Sequence, residues 1–199
     1  MIKVKRILSE LLDENCYLVT QNNKGILIDP GANTLKIQEE CEGVEINYIL
    51  LTHCHYDHTW SINALRKGRT VLCSSMCMWN IDNPNIALNE REYLPWRNAD
   101  DAFLDEEVKE LDGFKIECIY TPGHTDDSAC YRIGNMLFTG DTLMRGCVGR
   151  FDLPTGSYRL LNESIQKLYH LPAKTVVYPG HGPETTIGEE KINGAIKAR

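Results

Sequence analysis

The 199-residue sequence lacks any hydrophobic run approaching the roughly 20 residues that a membrane-crossing helix needs. Its N-terminus, MIKVKRILSELLDENCYLVT, also lacks the basic, then apolar, then small-residue order of a secretory signal. We therefore expect a cytoplasmic protein with no membrane partner. Positive charge is scarce as well, because 21 Lys and Arg face 28 Asp and Glu, for a net charge of -7. This balance argues against a general nucleic-acid-binding surface.

Internal repeats, low-complexity tracts and linker-like segments are also missing. The composition is that of a globular protein, with 42% hydrophobic and 25% charged residues. A chain of this length is long enough to bury a full core, so we predict one domain spanning residues 1–199. The sequence says nothing about the oligomeric state.

The eight cysteines do not have the pattern of a disulfide scaffold. Most lie within apolar runs such as FKIECIY, where reduced, buried thiols are expected. Cys73 and Cys77 are four residues apart, but no second cysteine pair accompanies them, so a zinc knuckle is weakly supported. A shared helix face is the favoured interpretation.

Strand-like and helix-like segments alternate along the chain. Ten apolar or alternating runs predict strands, and helical patterns cover residues 34–41, 59–67, 157–169 and 188–197. This order predicts an α/β sandwich with helices outside and sheet against sheet within. Residues 79–102 form the longest stretch without periodicity, and a lid over a site and a plain surface loop remain equally open interpretations.

Half of the six histidines stand in one short segment, LTHCHYDH, which follows a predicted strand. His53, His55, Asp57 and His58 belong to it. Three other predicted strands also end in an imidazole or a carboxylate, supplied by His124, Asp141 and His181. Convergence of so many polar groups at one rim is costly without a positive partner.

Imidazole nitrogen with carboxylate oxygen is a ligand set for Zn²⁺, and less selectively for Mn²⁺, Fe²⁺ or Co²⁺. Seven ligands are more than one tetrahedral ion can bind, but they suit two ions that share a carboxylate. Side-chain alternation lets His53 and His55 reach one ion while Asp57 and His58 turn to the other. Asp141, alone on its strand end, is the natural bridge, and Cys54 points away.

On these motifs the sequence resembles the metallo-β-lactamase superfamily, whose signature is H-x-H-x-D-H followed by His, Asp and His. It is most similar to the glyoxalase II, or hydroxyacylglutathione hydrolase, branch. The matching stretches extend from near the N-terminus to residue 191 and are NCYLV, GILIDPG, LTHCHYDH, TPGHT, FTGDTL, GRFDLPTGS and VVYPGHGPETTIGEEK.

The resemblance implies a four-layer αββα fold with the site at the shared edge of two sheets. It assigns two ligand sets, bridged by Asp141: His53, His55 and His124 for the first ion, and Asp57, His58 and His181 for the second. The implied reaction is hydrolysis of a small thioester by a hydroxide held between two divalent ions, with zinc favoured and iron or manganese as alternatives. Asp57 is the implied catalytic residue, as a ligand that also accepts a proton.

The sequence departs from the glyoxalase II pattern in three places. The helical glutathione-binding domain at the C-terminus of two-domain members has no counterpart here. Arg150 keeps a positive charge that in the family contacts glutathione, so we predict that it binds substrate anions, but Asp152 replaces the family's tyrosine. Asp126 and Asp127 replace Pro-Gly after the TPGHT motif, as a turn or as a charge filter at the site mouth.

Two enzymatic functions therefore compete. The favoured one is hydrolysis of S-acyl-glutathione or a similar thioester. The alternative is a persulfide dioxygenase that would hold a single Fe²⁺ on His53, His124 and Asp141. A metal-storage or scaffold protein is disfavoured, because all seven ligand positions are filled. Nuclease and lactamase members of the superfamily share the signature, but we give these two functions low weight for this protein.

Overall fold

Two sheets of six strands each build the part of the protein that the structure describes. The computed structural model describes residues 1–10, 12–31, 33–80 and 99–198. Within these residues the first sheet contains, in spatial order, β1 (Lys3–Leu8), β2 (Asn15–Gln21), β3 (Lys24–Ile28), β4 (Glu45–Leu50), β5 (Thr70–Ser74) and β6 (Asp101–Phe103). The second contains β7 (Val108–Leu111), β8 (Phe114–Tyr120), β9 (Ala129–Ile133), β10 (Met136–Gly140), β11 (Val176–Pro179) and β12 (Thr185–Thr186).

Six helices connect or cover these strands in the described ranges. They are α1 (Thr34–Glu40), α2 (Tyr56–Thr59), α3 (Ile62–Leu65), α4 (Ser75–Asn80), α5 (Tyr158–Leu168) and α6 (Ile187–Asn193). The longest, α5, starts at Ser157, whose side chain accepts a hydrogen bond from the Leu160 backbone and so caps the first turn. None of these helices combines the length and apolar character that crossing a bilayer requires.

Both faces of the inner strands β2, β3 and β5 are buried, which explains their continuous apolar runs. In β3, Ile26 and Ile28 face the second sheet, whereas Leu27 faces the helices on the outer side. The second sheet behaves in the same way, since Phe138 points between the sheets and Leu137 packs against the layer that contains α5. Three apolar layers thus separate four layers of secondary structure, and the predicted αββα fold is confirmed.

Strand directions bring distant parts of the chain to one edge. In the first sheet β3 and β4 pair in parallel, so their carboxyl ends are neighbours. In the second sheet β8 and β10 each pair antiparallel with β9, and β11 pairs parallel with β10. The carboxyl ends of β8, β10 and β11 therefore also share an edge. A hydrogen bond of 2.9 Å from the Ala129 backbone N–H to the Thr52 carbonyl joins the two sheets there.

All ten predicted strands are present, but the helices required corrections. The single helix predicted for residues 59–67 is replaced by α2 and α3, with a break between them. Cys73 and Cys77 do not share a helix face, because Cys73 belongs to β5 and only Cys77 lies in α4. Of the segment 79–102, residues 81–98 lie outside the described residues, so the question of a lid stays open.

Candidate metal centre

The segment that follows β4 places four of the predicted ligands. His55 has extended backbone angles and its ring contacts that of His53, whereas the Cys54 thiol turns to the other side and contacts Cys77. At Tyr56 the backbone turns into α2, which carries Asp57 and His58 on its first turn. All four ligand side chains are buried.

The first predicted ligand set is close-packed. His55 Nδ1 lies 2.9 Å from His124 Nε2, and the two ring centroids are 4.6 Å apart. The His53 ring centroid lies 4.7 Å from that of His55 and 5.0 Å from that of His124. One nitrogen from each of the three rings falls within 4.8 Å of the other two, which is a separation that one cation can span.

The second predicted set meets beside the first. The Oδ2 atom of Asp57 lies 3.4 Å from His181 Nε2 and 3.7 Å from His58 Nε2. The ligand atoms of these three residues again lie within 4.8 Å of one another. His181 is the most exposed member of the centre, and its side chain is 26% accessible.

Asp141 stands between the two sets. Its Oδ2 atom lies 3.5 Å from His124 Nε2 in the first set and 3.6 Å from His181 Nε2 in the second. Its Oδ1 atom lies 3.4 Å from His58 Nε2. The carboxylate therefore occupies the position that a ligand shared by two ions requires. The structure brings all seven predicted ligands together.

Backbone carbonyl oxygens fix the orientation of two of the imidazole rings through their Nδ1 atoms. His124 Nδ1 lies 2.6 Å from the Arg150 carbonyl oxygen, and His181 Nδ1 lies 3.0 Å from the Leu12 carbonyl oxygen. An Nδ1–H that donates to a carbonyl leaves Nε2 with its lone pair free, which is the tautomer that a metal ligand needs.

Asp29 is a site residue that the sequence interpretation missed. Its Oδ2 atom lies 3.0 Å from His58 Nδ1 and accepts a 2.6 Å hydrogen bond from the Thr52 hydroxyl. The same hydroxyl lies 3.0 Å from His53 Nδ1, so one carboxylate orients a ring in each set. The signal was available, since the run GILIDPG also ends in a carboxylate.

The ionisation of several ligands suits a cation. Burial and the other rings lower the pKa of His53 well below its ordinary value, and burial with His124 lowers the pKa of His55 to about 3. Burial would raise the pKa of Asp141, but His58 and the other rings hold it well below its ordinary range. His58 is the exception: burial opposes its charged form, yet Asp57 and Asp141 raise its pKa well above the usual value, so a cation at its Nε2 would replace a proton.

The chemistry of the unpaired atoms fits divalent cations. His53 Nε2 and His55 Nε2 are buried and have no hydrogen-bond partner among the residues that the structure describes. Burial of such atoms without a partner costs several kcal/mol, of the order of 1–3 each. A cation held by these donors removes that cost, and neutral imidazole with ionised carboxylate is the ligand form.

Glycine at position 180 keeps the centre open. A Cβ atom there would lie 2.3 Å from Asp141 Oδ1 and 2.7 Å from His58 Cε1. Gly149 has the same role on the other side, where a Cβ atom would lie 2.1 Å from the Asp141 carbonyl oxygen and 2.9 Å from His124 Nδ1. Any side chain at these positions displaces ligands.

A cleft of about 440 Å³ gives access to the centre. His55, Asp57, His124, Asp141 and His181 are among its lining residues, and the apolar part of its wall comes from Leu12, Met144, Val148 and Leu153. Arg150 lines the same cleft, but its guanidinium already pairs with the Asp152 carboxylate through two hydrogen bonds of 3.0 Å.

Asp126 and Asp127 form a turn, and they differ in exposure. The Asp126 backbone N–H donates to the Thr155 hydroxyl, and its side chain is half-buried. Asp127 is 1% exposed, so its charge does not stand at the mouth of the cleft. Of the two interpretations of this pair, the turn is therefore the one that applies to Asp127.

Comparison with known proteins agrees with this geometry. A family model described as the metallo-beta-lactamase superfamily matches residues 10–71 and 85–181, which is most of the chain. The chain therefore belongs to the metallo-beta-lactamase superfamily. Fold and site together define a protein of the metallo-hydrolase class.

Three individual proteins are similar to this chain over most of its length. Hydroxyacylglutathione hydrolase GloC of Haemophilus influenzae is 34% identical, over 89% of this chain and 90% of that protein. BLEG-1, a B3 metallo-beta-lactamase, superposes with a TM-score of 0.90 at 29% identity, over 97% of this chain and 98% of that chain. TTHA1623, solved in a di-iron-bound form, gives a TM-score of 0.82 at 30% identity, over 96% and 98%.

Proposed function

We propose that this protein hydrolyses small thioesters of the S-acyl-glutathione kind. One observation carries the proposal: two sets of buried donor atoms, joined by the Asp141 carboxylate, form part of the wall of an accessible cleft. The similarity to a hydroxyacylglutathione hydrolase favours a thioester over other acyl substrates.

Two divalent ions fit the centre. His53, His55 and His124 would hold the first, and Asp57, His58 and His181 the second, with Asp141 shared. Ions bound there would act as Lewis acids that lower the pKa of water and polarise a carbonyl group. Zinc is the favoured metal, and iron is the main alternative because the similar TTHA1623 was solved with two irons.

The chain's own residues supply the rest of the reaction. Asp57 would accept the proton of the attacking water at its carboxylate, which lies at the cleft wall. The apolar wall formed by Leu12, Met144 and Val148 would hold the acyl and thiol chains away from water. The water oxygen bonds to the carbonyl carbon, the C–S bond breaks, and the products are a carboxylic acid and a thiol.

A thioester panel tests this proposal. Protein purified with its native metal should release free thiol from S-acyl-glutathione, and chelation should stop the release. His124→Ala should lose this activity while its circular dichroism spectrum stays unchanged. His170→Ala is the matched control, because His170 is exposed and lies outside the cleft, and the one hydrogen bond described for its ring is to the Gln166 carbonyl oxygen. Unchanged turnover in His124→Ala would refute the site.

The persulfide dioxygenase alternative uses a subset of the same ligands, so geometry alone does not separate the two reactions. His124 and Asp141, with Nε2 and Oδ2 3.5 Å apart, belong to both assignments. If the protein contains one iron per chain and takes up oxygen when a glutathione persulfide is added, the dioxygenase is the correct function and the hydrolase proposal is wrong. A β-lactam belongs in the panel too, given the similarity to BLEG-1.

A further inference from the structure

A second cluster of potential ligands lies behind the loop that carries the histidines. Cys54, between two histidines in sequence, turns its thiol away from them and towards Cys77 of α4 and Asp127 of the turn after β8. The two sulfurs and one carboxylate oxygen lie within 4.8 Å of one another, and the three residues are at most 1% exposed. We call these three residues the thiol–carboxylate cluster.

The carboxylate of Asp127 has no cationic partner among the described residues. Neither Oδ1 nor Oδ2 has a partner at normal hydrogen-bond geometry there, and only neutral groups, the Thr125 hydroxyl and the thiols of Cys54 and Cys77, lie close enough to stabilise its charge. Burial of a charge without a counter-charge is among the costliest arrangements in a protein interior. A cation would offset this cost, and the two thiols within 4.8 Å of the carboxylate become cation ligands on losing their protons.

The cluster is rigidly built. The Ser74 hydroxyl, at the end of β5, donates a 2.8 Å hydrogen bond to the Asp127 carbonyl oxygen. The same oxygen atom of Ser74 accepts a 3.0 Å hydrogen bond from the Cys77 backbone N–H. One buried serine thus fixes the start of α4 against the turn that carries Asp127, and this holds the ligand side chains together.

Two thiolates and a carboxylate form a donor set for zinc and other borderline-soft divalent ions, and a hard ion such as Mg²⁺ does not favour them. We propose that Cys54, Cys77 and Asp127 bind a further divalent cation of the zinc class, at a structural site separate from the histidine centre. Cys73, whose thiol interacts with that of Cys77, is the nearest source of a fourth ligand.

A disulfide is the competing use of the same sulfurs. Cys54 Sγ and Cys77 Sγ lie 2.6 Å apart, so sharing one ion requires a side-chain rotation that separates them. A disulfide would nevertheless leave the Asp127 carboxylate buried beside an uncharged bridge, with no counter-charge among the described residues. A cation satisfies all three groups at once, which is why we favour it.

Cobalt substitution tests the site independently of any catalytic activity. Full-length protein is loaded with Co²⁺, and the near-ultraviolet absorption is recorded, because only a sulfur ligand gives thiolate-to-cobalt charge transfer. The histidine centre has no sulfur ligand among its seven predicted residues, so a band indicates cysteine ligands elsewhere, and the substitutions below assign it to the thiol–carboxylate cluster. We expect the band in the wild-type protein, its loss in Cys77→Ser, and its loss or shift in Asp127→Asn.

Two controls locate the signal. His181→Ala should keep the band, since it changes only the histidine centre. Cys118→Ser should also keep it, because Cys118 is equally buried but lies on β8, outside the cluster. The two test substitutions lie on different elements, and circular dichroism checks that each variant folds. If neither folds, the wild-type band and its metal stoichiometry decide.

Three results would overturn the proposal. The first is a wild-type protein loaded with Co²⁺ that shows no charge-transfer band. The second is a count of six rather than eight thiols in the unfolded, metal-free protein, which would assign Cys54 and Cys77 to a disulfide. The third is a band that survives in both Cys77→Ser and Asp127→Asn. A lost band with retained thioester hydrolysis would support this site and leave the proposed function intact.

Discussion

Nδ1 of His58 lies 3.0 Å from Oδ2 of Asp29, and both side chains are almost fully buried. The pair exists because β3 and β4 run in parallel, so Asp29 and the loop after β4 emerge at one edge. Thr52 completes the arrangement, since its backbone N–H and its hydroxyl both donate to the Asp29 carboxylate. Asp29 therefore fixes a ligand ring without contacting the cleft.

Asp29→Asn should weaken metal binding more than it weakens folding. The amide keeps the size of the carboxylate but loses the charge that orients an Nδ1–H, and loss of such a partner reduces metal affinity by about 10–100-fold. The measurement is a competition titration with a chromophoric chelator. Asp112→Asn is the control, because this carboxylate pairs with Lys24 far from the centre. Equal affinities in all three proteins would contradict the assigned role.

Gly180→Ala should abolish loading of the centre while preserving the fold. The new methyl group would lie 2.3 Å from Asp141 Oδ1, so that carboxylate or the ring of His58 must move. Overpacking of this kind typically costs about 1–3 kcal/mol. Metal content per chain and the urea midpoint measure the two effects.

Gly188→Ala is the matched control for that substitution. Gly188 lies in α6, where an added Cβ atom meets nothing closer than 3.0 Å, from the Ala173 carbonyl oxygen. Alanine is also the better helix former, by about 1 kcal/mol. Wild-type metal content in Gly180→Ala would show that the centre tolerates the methyl group.

Glu14→Gln should change how stability depends on pH. Glu14 is fully buried, and neither of its carboxylate oxygens has a hydrogen-bond partner in the described ranges. Burial raises its pKa well above the ordinary 4.5, although His58 opposes this. The folded protein then holds a proton that the unfolded chain releases above about pH 4.5. Stability from this group is present at low pH and is lost as the pH rises towards the folded-state pKa.

Glutamine does not titrate, so this loss is absent in Glu14→Gln. The free energy of unfolding of the variant, relative to that of the wild type, should therefore increase between pH 5 and pH 7.5. Urea unfolding of metal-free protein measures it, because bound cations would also act on Glu14. Glu110→Gln, at an exposed position of β7, should show no such trend. A difference that stays constant with pH would mean that Glu14 is ionised in the folded state.

The sequence predicted those parts of the fold that have a strong local signal. Ten strands follow from apolar runs, whereas β12 has only two residues, too few for a period to show. Helix α4 was missed because it follows β5 with no intervening turn residue, and its start depends on the Ser74 side chain. The seven ligands were found because they follow the ends of only four strand-like runs.

Relationships that arise only from strand order were harder to predict. Asp29 ends a run just as Asp141 does, but no spacing shows that it lies behind His58. Cys54, Cys77 and Asp127 are 23 and 50 residues apart in sequence, and α4 and the turn after β8 bring them together. No sequence motif connects these three residues, so a search for patterns along the chain does not identify them as a cluster.

The last prediction concerns the ion pair between Arg150 and Asp152. Both side chains are more than 60% exposed and share two hydrogen bonds of 3.0 Å, so the guanidinium at the cleft is partly neutralised. Asp152→Asn should free it and lower KM for a carboxylate-bearing thioester, by up to about fivefold for an exposed pair. Arg150→Ala should raise that KM, and neither change should affect a neutral thioester, because the effect is electrostatic and not steric. Steady-state kinetics on both substrates at low and high salt decide the matter, since added salt should shrink the difference. Equal shifts of KM for the charged and the neutral substrate would remove Arg150 from substrate binding.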